Sequence, residues 1–406
     1  MRKTLRAWCQ RYRSAIVALA ALTTVINSAS AQTETVLYTF MGTPDEAASS
    51  ANLVQNAQGN YIGTTSSGGT VTSSFPQGCG TVFEVTPDGN ETILYRFKGA
   101  PDGASPKAGL VLDEKGNMYG TTYSGGAHGL GTVFEISAKG KEKVLYSFTG
   151  RPDGDAPQSN LAFDKKGSLY GTTISGGAHG YGVVFKVSRS GKEKVLYSFA
   201  GTPDGAAPEA GVVLDGTGNL YGTTTYGGPS QPSKCQQGCG VVFKVTPAGK
   251  ESVLYGFEAG TDGSSPTAGL LLDKAGNLYG TTIQGGGSVH CGGGCGTVFE
   301  LTSAGQETVL YSFGASNNDG AFPQAGLIVD SAGNFYGTTN GAGSAFGTVF
   351  ELTPSGRETI LHSFKGTPDG SSPQAGLLLD PSSDLIGTTF AGGNSDGYGV
   401  VFKVVP

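Results

Sequence analysis

Carboxylates recur through this sequence at a spacing that could hold a cation or a polar ligand. The segment Pro-Asp-Gly-x-x-Pro at residues 101–106 carries Asp102, and its counterparts carry Asp45, Asp153, Asp204, Asp262, Asp319 and Asp369. Each leads into an apolar run, so seven carboxylates could ring the mouth of a central channel. A structural role is the favoured reading, because Asp-Gly is a turn pair and an Asp side chain bonds nearby backbone N–H groups. The segment lacks the alternating oxygen donors of a calcium loop.

Residues that break the repetition are better candidates for a singular site. His128 and His179 occupy matching Gly-Gly-Ala-His-Gly loops and could pair at a rim, although exposed loop histidines are commoner. His290 lies beside Cys291 and reads as loop filler, and His362 reads as a strand substitution for the Tyr of Leu-Tyr-Ser-Phe. Tyr123, Tyr181, Tyr226, Phe346, Phe390 and Tyr398 fall in or near long loops and could stack on sugars. Cys235 and Cys239 stand four apart, as do Cys291 and Cys295. Loop-closing disulfides are favoured over a four-cysteine zinc site, which would need the two pairs to meet in space. Cys79 has Phe75 where a partner would be and is the odd thiol, free or intermolecular.

No nucleophile elbow, zinc-protease motif or phosphate-cradling loop occurs. An Asp–Glu pair for glycoside hydrolysis stays open, since such pairs meet in space rather than in sequence. Glu84, Glu135, Lys186, Lys244, Glu300, Glu351 and Lys403 share one repeat position, and their change of sign points to a solvated edge.

The elements that would position these groups are repeated. Gly-Thr-Thr ends at Thr65, Thr122, Thr173, Thr224, Thr282, Thr339 and Thr389. Variants of Leu-Tyr-Ser-Phe end at Phe40, Phe97, Phe148, Phe199, Phe257, Phe313 and Phe364. A Val-Phe pair ends at Phe83, Phe134, Phe185, Phe243, Phe299, Phe350 and Phe402. Each unit holds four short strand-like runs, which in the second unit span 108–113, 118–122, 131–137 and 143–148. Glycine, 69 of 406 residues, exceeds the usual share of about 7% and marks many tight turns.

Four strands in about 50 residues is the size of a propeller blade. The predicted fold is therefore an all-β, seven-bladed β-propeller of four-stranded blades. The least polar run, Ala-Gly-Leu-Val-Leu-Asp, is the predicted innermost strand, buried on both faces. On this order the chain begins with an outermost strand at 35–40 and ends with a third strand at 399–404. The N-terminal strand would complete the last blade and close the ring, which removes exposed edges. The longer connections would share one face, where variable loops carry function.

The first 31 residues read as a secretory signal, with a basic start, an apolar run at 15–26 and a small-residue cleavage site at Ala29-Ser30-Ala31. The predicted domains are a signal peptide at 1–31 and a propeller at 32–406. The whole chain carries net charge −6. Five basic residues would leave with the signal, and the acidic remainder argues against nucleic acid as a partner. No later segment could span a membrane as a helix.

The unit Glu-x-x-Leu-Tyr-Ser-Phe … Pro-Asp-Gly-x-x-Pro-x-Ala-Gly-Leu … Gly-Asn-Leu-Tyr-Gly-Thr-Thr … Gly-Thr-Val-Phe-Glu resembles the GloVer (Gloeo/Verruco) tandem repeat of bacterial choice-of-anchor proteins, over essentially all of 33–406. The resemblance implies an exported protein and brings no activity or catalytic residues. The chain stops at Val404-Val405-Pro406, without a sorting tail, so release to the periplasm or medium is the expectation. The expected function is non-enzymatic binding of a glycan or a surface protein, with no cofactor. The alternatives are a polysaccharide-active hydrolase or lyase on the long-loop face, and a structural envelope component. Two or three non-repeated polar side chains converging in one pocket would favour the enzyme.

Overall fold

The computed structural model describes residues 34–42, 46–47, 49–229, 235–316, 319–341 and 346–406, so the signal assigned to 1–31 lies outside the described residues. Residues 33–406 form one compact unit. Seven four-stranded antiparallel sheets follow one another as blades. Blade 2 consists of Val111–Leu112, Met118–Thr122, Thr132–Ile136 and Glu142–Ser147, from inner to outer strand. Blade 7 takes its three inner strands from the C-terminal end and its outer strand, Glu34–Thr39, from the N-terminal end. The ring closes as the repeat order predicts.

The inner strand is shorter than expected. Only Val111 and Leu112 of the run 108–113 pair with the second strand, and both are half-buried. The front of the run is bonded to neighbouring blades instead. The Ala108 carbonyl accepts from Thr64 Oγ1 at 2.8 Å, and the Gly109 N–H donates to Asn160 Oδ1 at 2.7 Å.

The first threonine of Gly-Thr-Thr makes the corresponding interblade bond in every repeat. Thr121, Thr172, Thr223, Thr281 and Thr338 donate to the carbonyls of Ser159, Ala210, Ala268, Ala325 and Ala375. Thr388 closes the circle on the Ala51 carbonyl at 3.4 Å. These hydroxyls are buried, and each bond satisfies a carbonyl that the sheet leaves free.

Phenylalanine rings pack against one another between blades. The Phe ending each outer strand meets the Val-Phe ring of the next blade edge to face, as in Phe97–Phe134 and Phe199–Phe243, both at 5.0 Å. The second ring also explains the glycine of Gly-Thr-Thr. A Cβ on Gly222 would lie 2.6 Å from Phe243 Cζ, and the equivalent glycines are blocked in the same way. Gly222→Ala is therefore expected to cost about 1–3 kcal/mol through overpacking. A urea midpoint unchanged from wild type would show that the ring moves aside freely.

Candidate ligand-binding face

Two kinds of loop meet on one face of the ring: the connection after each second strand, and the Pro-Asp-Gly connection to the next blade. They pair with each other as short antiparallel segments, Gly103–Ala104 with Ser124–Gly125 in blade 2 and the bridge Ala206–Tyr226 further round. These pairings hold the described parts of the two loops to each other.

The repeated aspartates are tied to the outer strands. Asp102 accepts from the Tyr95 hydroxyl at 2.9 Å, the Lys98 N–H at 3.0 Å and the Gly103 N–H at 2.6 Å. Asp153 accepts from Tyr146 and Thr149, and Asp204 from Tyr197 and the Ala200 N–H. Asp262 and Asp319 likewise bond Tyr255 and Tyr311. Asp369 faces His362 Nε2 at 3.1 Å. Asp45 lies outside the described residues. In the six described repeats these carboxylates hold the loop against the blade through those bonds. Burial, then the bonded aspartate, pushes the Tyr95, Tyr146 and Tyr197 hydroxyls above their ordinary range.

His128 and His179 are both exposed on their loops. His290 Nδ1 lies 2.8 Å from the Gly314 carbonyl, so it is held by its own blade. The sulfurs of Cys235 and Cys239, and of Cys291 and Cys295, lie at bonding distance within their loops. Cys79 is buried without a disulfide, and Phe75 packs in its cluster.

Three side chains that the repeat pattern passed over converge at the start of the inner strands of blades 2, 3 and 4. Lys107, Gln158 and Glu209 each follow the Pro of the Pro-Asp-Gly segment. Gln158 Nε2 donates to Glu209 Oε2 at 3.2 Å, and Thr225 Oγ1 donates to Glu209 Oε1 at 3.0 Å. Lys107 Nζ sits 3.6 Å from the Tyr123 ring centroid and within electrostatic reach of Glu209. Burial raises the Glu209 carboxyl and lowers the Lys107 ammonium from their ordinary values, while Thr225, Lys107 and Gln158 favour the carboxylate. The signal for this cluster was present in sequence: Lys107 and Glu209 place charge where other repeats have Gln324, Gln374 or Thr267.

A groove of about 360 Å³ adjoins Glu209's blade on the same face. Tyr181 and Tyr226 line it with Ile174, Thr202 and Gln237. The two tyrosines keep 48% and 39% of their surface exposed, unlike the buried repeat aromatics. Phe346 and Phe390 are also exposed, but on later blades.

Among the described residues no helix is long and apolar enough to cross a membrane. No curated relative matches the sequence. Among solved structures, the chain is similar to the extracellular domain of a hybrid two-component system from B. thetaiotaomicron, at TM-score 0.55 and 14% identity, over 92% of this chain and 41% of that one. It is also similar to the extracellular domain of a one-component system from the same organism, at TM-score 0.54 and 11% identity, over 89% of this chain and 39% of that one. The chain thus spans about two fifths of either protein, and identity this low establishes the fold alone. The Gloeobacter/Verrucomicrobia repeat model matches residues 69–293 and 291–406, which are most of the ring just described. By its repeats and its blades, the chain belongs to the Gloeobacter/Verrucomicrobia repeat family.

Proposed function

We propose that this protein is an exported, non-enzymatic binding propeller that engages a glycan on the long-loop face of blades 2 to 4. The observation that carries the reading is that Tyr181 and Tyr226, both exposed, line one groove. Amphipathic aromatic rings bury sugar C–H faces while leaving hydroxyls free to bond polar neighbours. Glu209, Gln158 and Lys107 supply both acceptors and donors beside that groove. Their convergence is also the feature expected of an enzyme. However, hydrolysis of a glycosidic bond takes two carboxylates, and this cluster contributes one. Export rests on the sequence of residues 1–31.

The test is a glycan array probed with the full chain, followed by titration of the best glycan against variants. Tyr181→Ala and Tyr226→Ala should each weaken binding by roughly 30-fold, as expected for an anchoring aromatic worth about 2 kcal/mol. Thermal stability should stay near wild type, because both rings are exposed. Unchanged affinity in both variants would remove the groove from the reading. Release of shorter sugars from the bound glycan would replace binding with catalysis.

A further inference from the structure

One interblade junction differs from the others in its chemistry. In five described junctions an outer-strand tyrosine donates to the aspartate of the following loop. A glutamate opening the next outer strand faces that same aspartate, as Glu142 faces Asp102 and Glu193 faces Asp153. At the junction of blades 6 and 7 the tyrosine is replaced by His362, the aspartate is Asp369, and the glutamate is Glu34.

The replacement changes what the cluster can bind. A tyrosine hydroxyl whose pKa burial has raised is a hydrogen-bond donor and a poor ligand. A neutral imidazole presents a nitrogen lone pair. His362 Nε2 stands 3.1 and 3.2 Å from the two Asp369 oxygens, and one ligand atom from each of His362, Asp369 and Glu34 lies within 4.8 Å of the others. The Lys365 N–H donates to Asp369 Oδ2 at 2.8 Å and fixes the carboxylate's orientation. Glu34 Oε1 is shielded from solvent and has no hydrogen-bond donor among the described residues, as is also true of Glu142, Glu193, Glu251, Glu307 and Glu358, so the histidine is what sets this junction apart. The His362 and Asp369 side chains are 16% and 12% exposed, which leaves an approach from solvent.

We propose that His362, Asp369 and Glu34 form a binding site for a divalent transition ion of the zinc class. One nitrogen and two carboxylate oxygens suit such an ion, with bonds of about 2.0–2.2 Å and water in the remaining position. Calcium and magnesium prefer sites made wholly of oxygen. Glu34 opens the N-terminal strand, and His362 and Asp369 belong to the far end of the chain. An ion here therefore ties the two ends of the ring together. The site is separate from the groove on blades 3 and 4 and does not depend on the glycan reading.

The experiment uses the full chain, free of any polyhistidine tag and stripped with EDTA, titrated calorimetrically with Zn²⁺ alone. Thermal unfolding is then followed in EDTA, Zn²⁺ and Ca²⁺. His362→Tyr restores the residue of the other repeats, so the variant should fold as well as wild type in EDTA. The expected result is one tight zinc per wild-type chain, affinity at least a hundredfold weaker in His362→Tyr, and a zinc-dependent rise in Tm in wild type only. Ca²⁺ should give no such rise. Glu34→Gln, which keeps the glutamate's shape, should also lose the rise. Absence of zinc uptake by wild type would overturn the proposal. So would equal uptake and an equal Tm rise in wild type and His362→Tyr, which would place the ion elsewhere.

Discussion

Phe40→Ala is expected to destabilise the closed ring by about 3–5 kcal/mol, the usual cost of truncating a buried phenylalanine. Phe40 is fully buried at the end of the N-terminal strand, and its ring meets Phe83 of blade 1 edge to face at 5.2 Å. Leu53, Tyr61, Ile386 and Val401 pack in the same cluster, which therefore holds residues from both ends of the chain. The Phe40 N–H also donates to the Gly399 carbonyl at 3.0 Å. One side chain thus serves blade 7, blade 1 and the seam between them.

The pattern of loss distinguishes a seam from an ordinary core position. Phe199 makes the equivalent contact with Phe243 within continuous chain. Truncating it should lower stability by a similar amount through global unfolding. Truncating Phe40 should instead release the strand Glu34–Thr39 locally and uncover Val400–Val404 as an unpaired edge. Hydrogen exchange should show selective loss of protection in those two strands for Phe40→Ala, and none for Phe199→Ala. Uniform loss in both variants would mean that the seam opens only when the whole ring does.

Much of this architecture was readable because the three landmarks keep a fixed order through seven units. What each landmark does was less readable. The glycine of Gly-Thr-Thr was visible, but the Phe243 ring that excludes a Cβ at Gly222 lies on another strand. The loop of the repeated aspartates precedes the inner strand, and an Asp-Gly pair in such a loop points to a structural turn. The aspartate's hydrogen bonds run back to a tyrosine seven or eight residues earlier, as in Tyr95–Asp102 and Tyr311–Asp319. That spacing was in the sequence, but its meaning depends on how the loop folds over the strand. Lys107, Gln158 and Glu209 lie 51 residues apart in turn and meet only because blades stand side by side. His362 was seen as a substitution. Its neighbour Glu34 could not be read from sequence distance, since only ring closure brings the two ends of the chain together.

Stability is expected to fall as pH rises from about 5 to about 8, and five of the interblade glutamates are the cause. Burial, then the facing aspartate, raises Glu142, Glu193, Glu251, Glu307 and Glu358 from 4.5 to about 7. Between those two values the folded chain holds protons that the unfolded chain has released. Each step up in pH therefore favours unfolding, and the contribution is gone above about 7. A second set of carboxyls sets the acid limit. Asp113, Asp164, Asp215, Asp273 and Asp330 are partly buried, which alone would raise them. Hydrogen bonds outweigh that, as from Arg189 and Asn117 to Asp113, and hold them below their ordinary 3.8. Their contribution is present above 3.8 and is lost as pH falls further, so the maximum should lie between about pH 4 and 5. Glu193→Gln and Glu251→Gln mimic the protonated side chain. Each should leave the urea midpoint unchanged at pH 5 and raise stability by about 1 kcal/mol at pH 8, a figure discounted for the half-exposure of these groups. A flat profile from pH 5 to 8 would show that solvent already screens the Glu–Asp pairs. A loss at pH 8 in the glutamine variants would show that the ionised glutamates are bonded rather than strained. The wild-type slope and its flattening in these variants together separate a few interblade carboxyls from the general acidity of the surface.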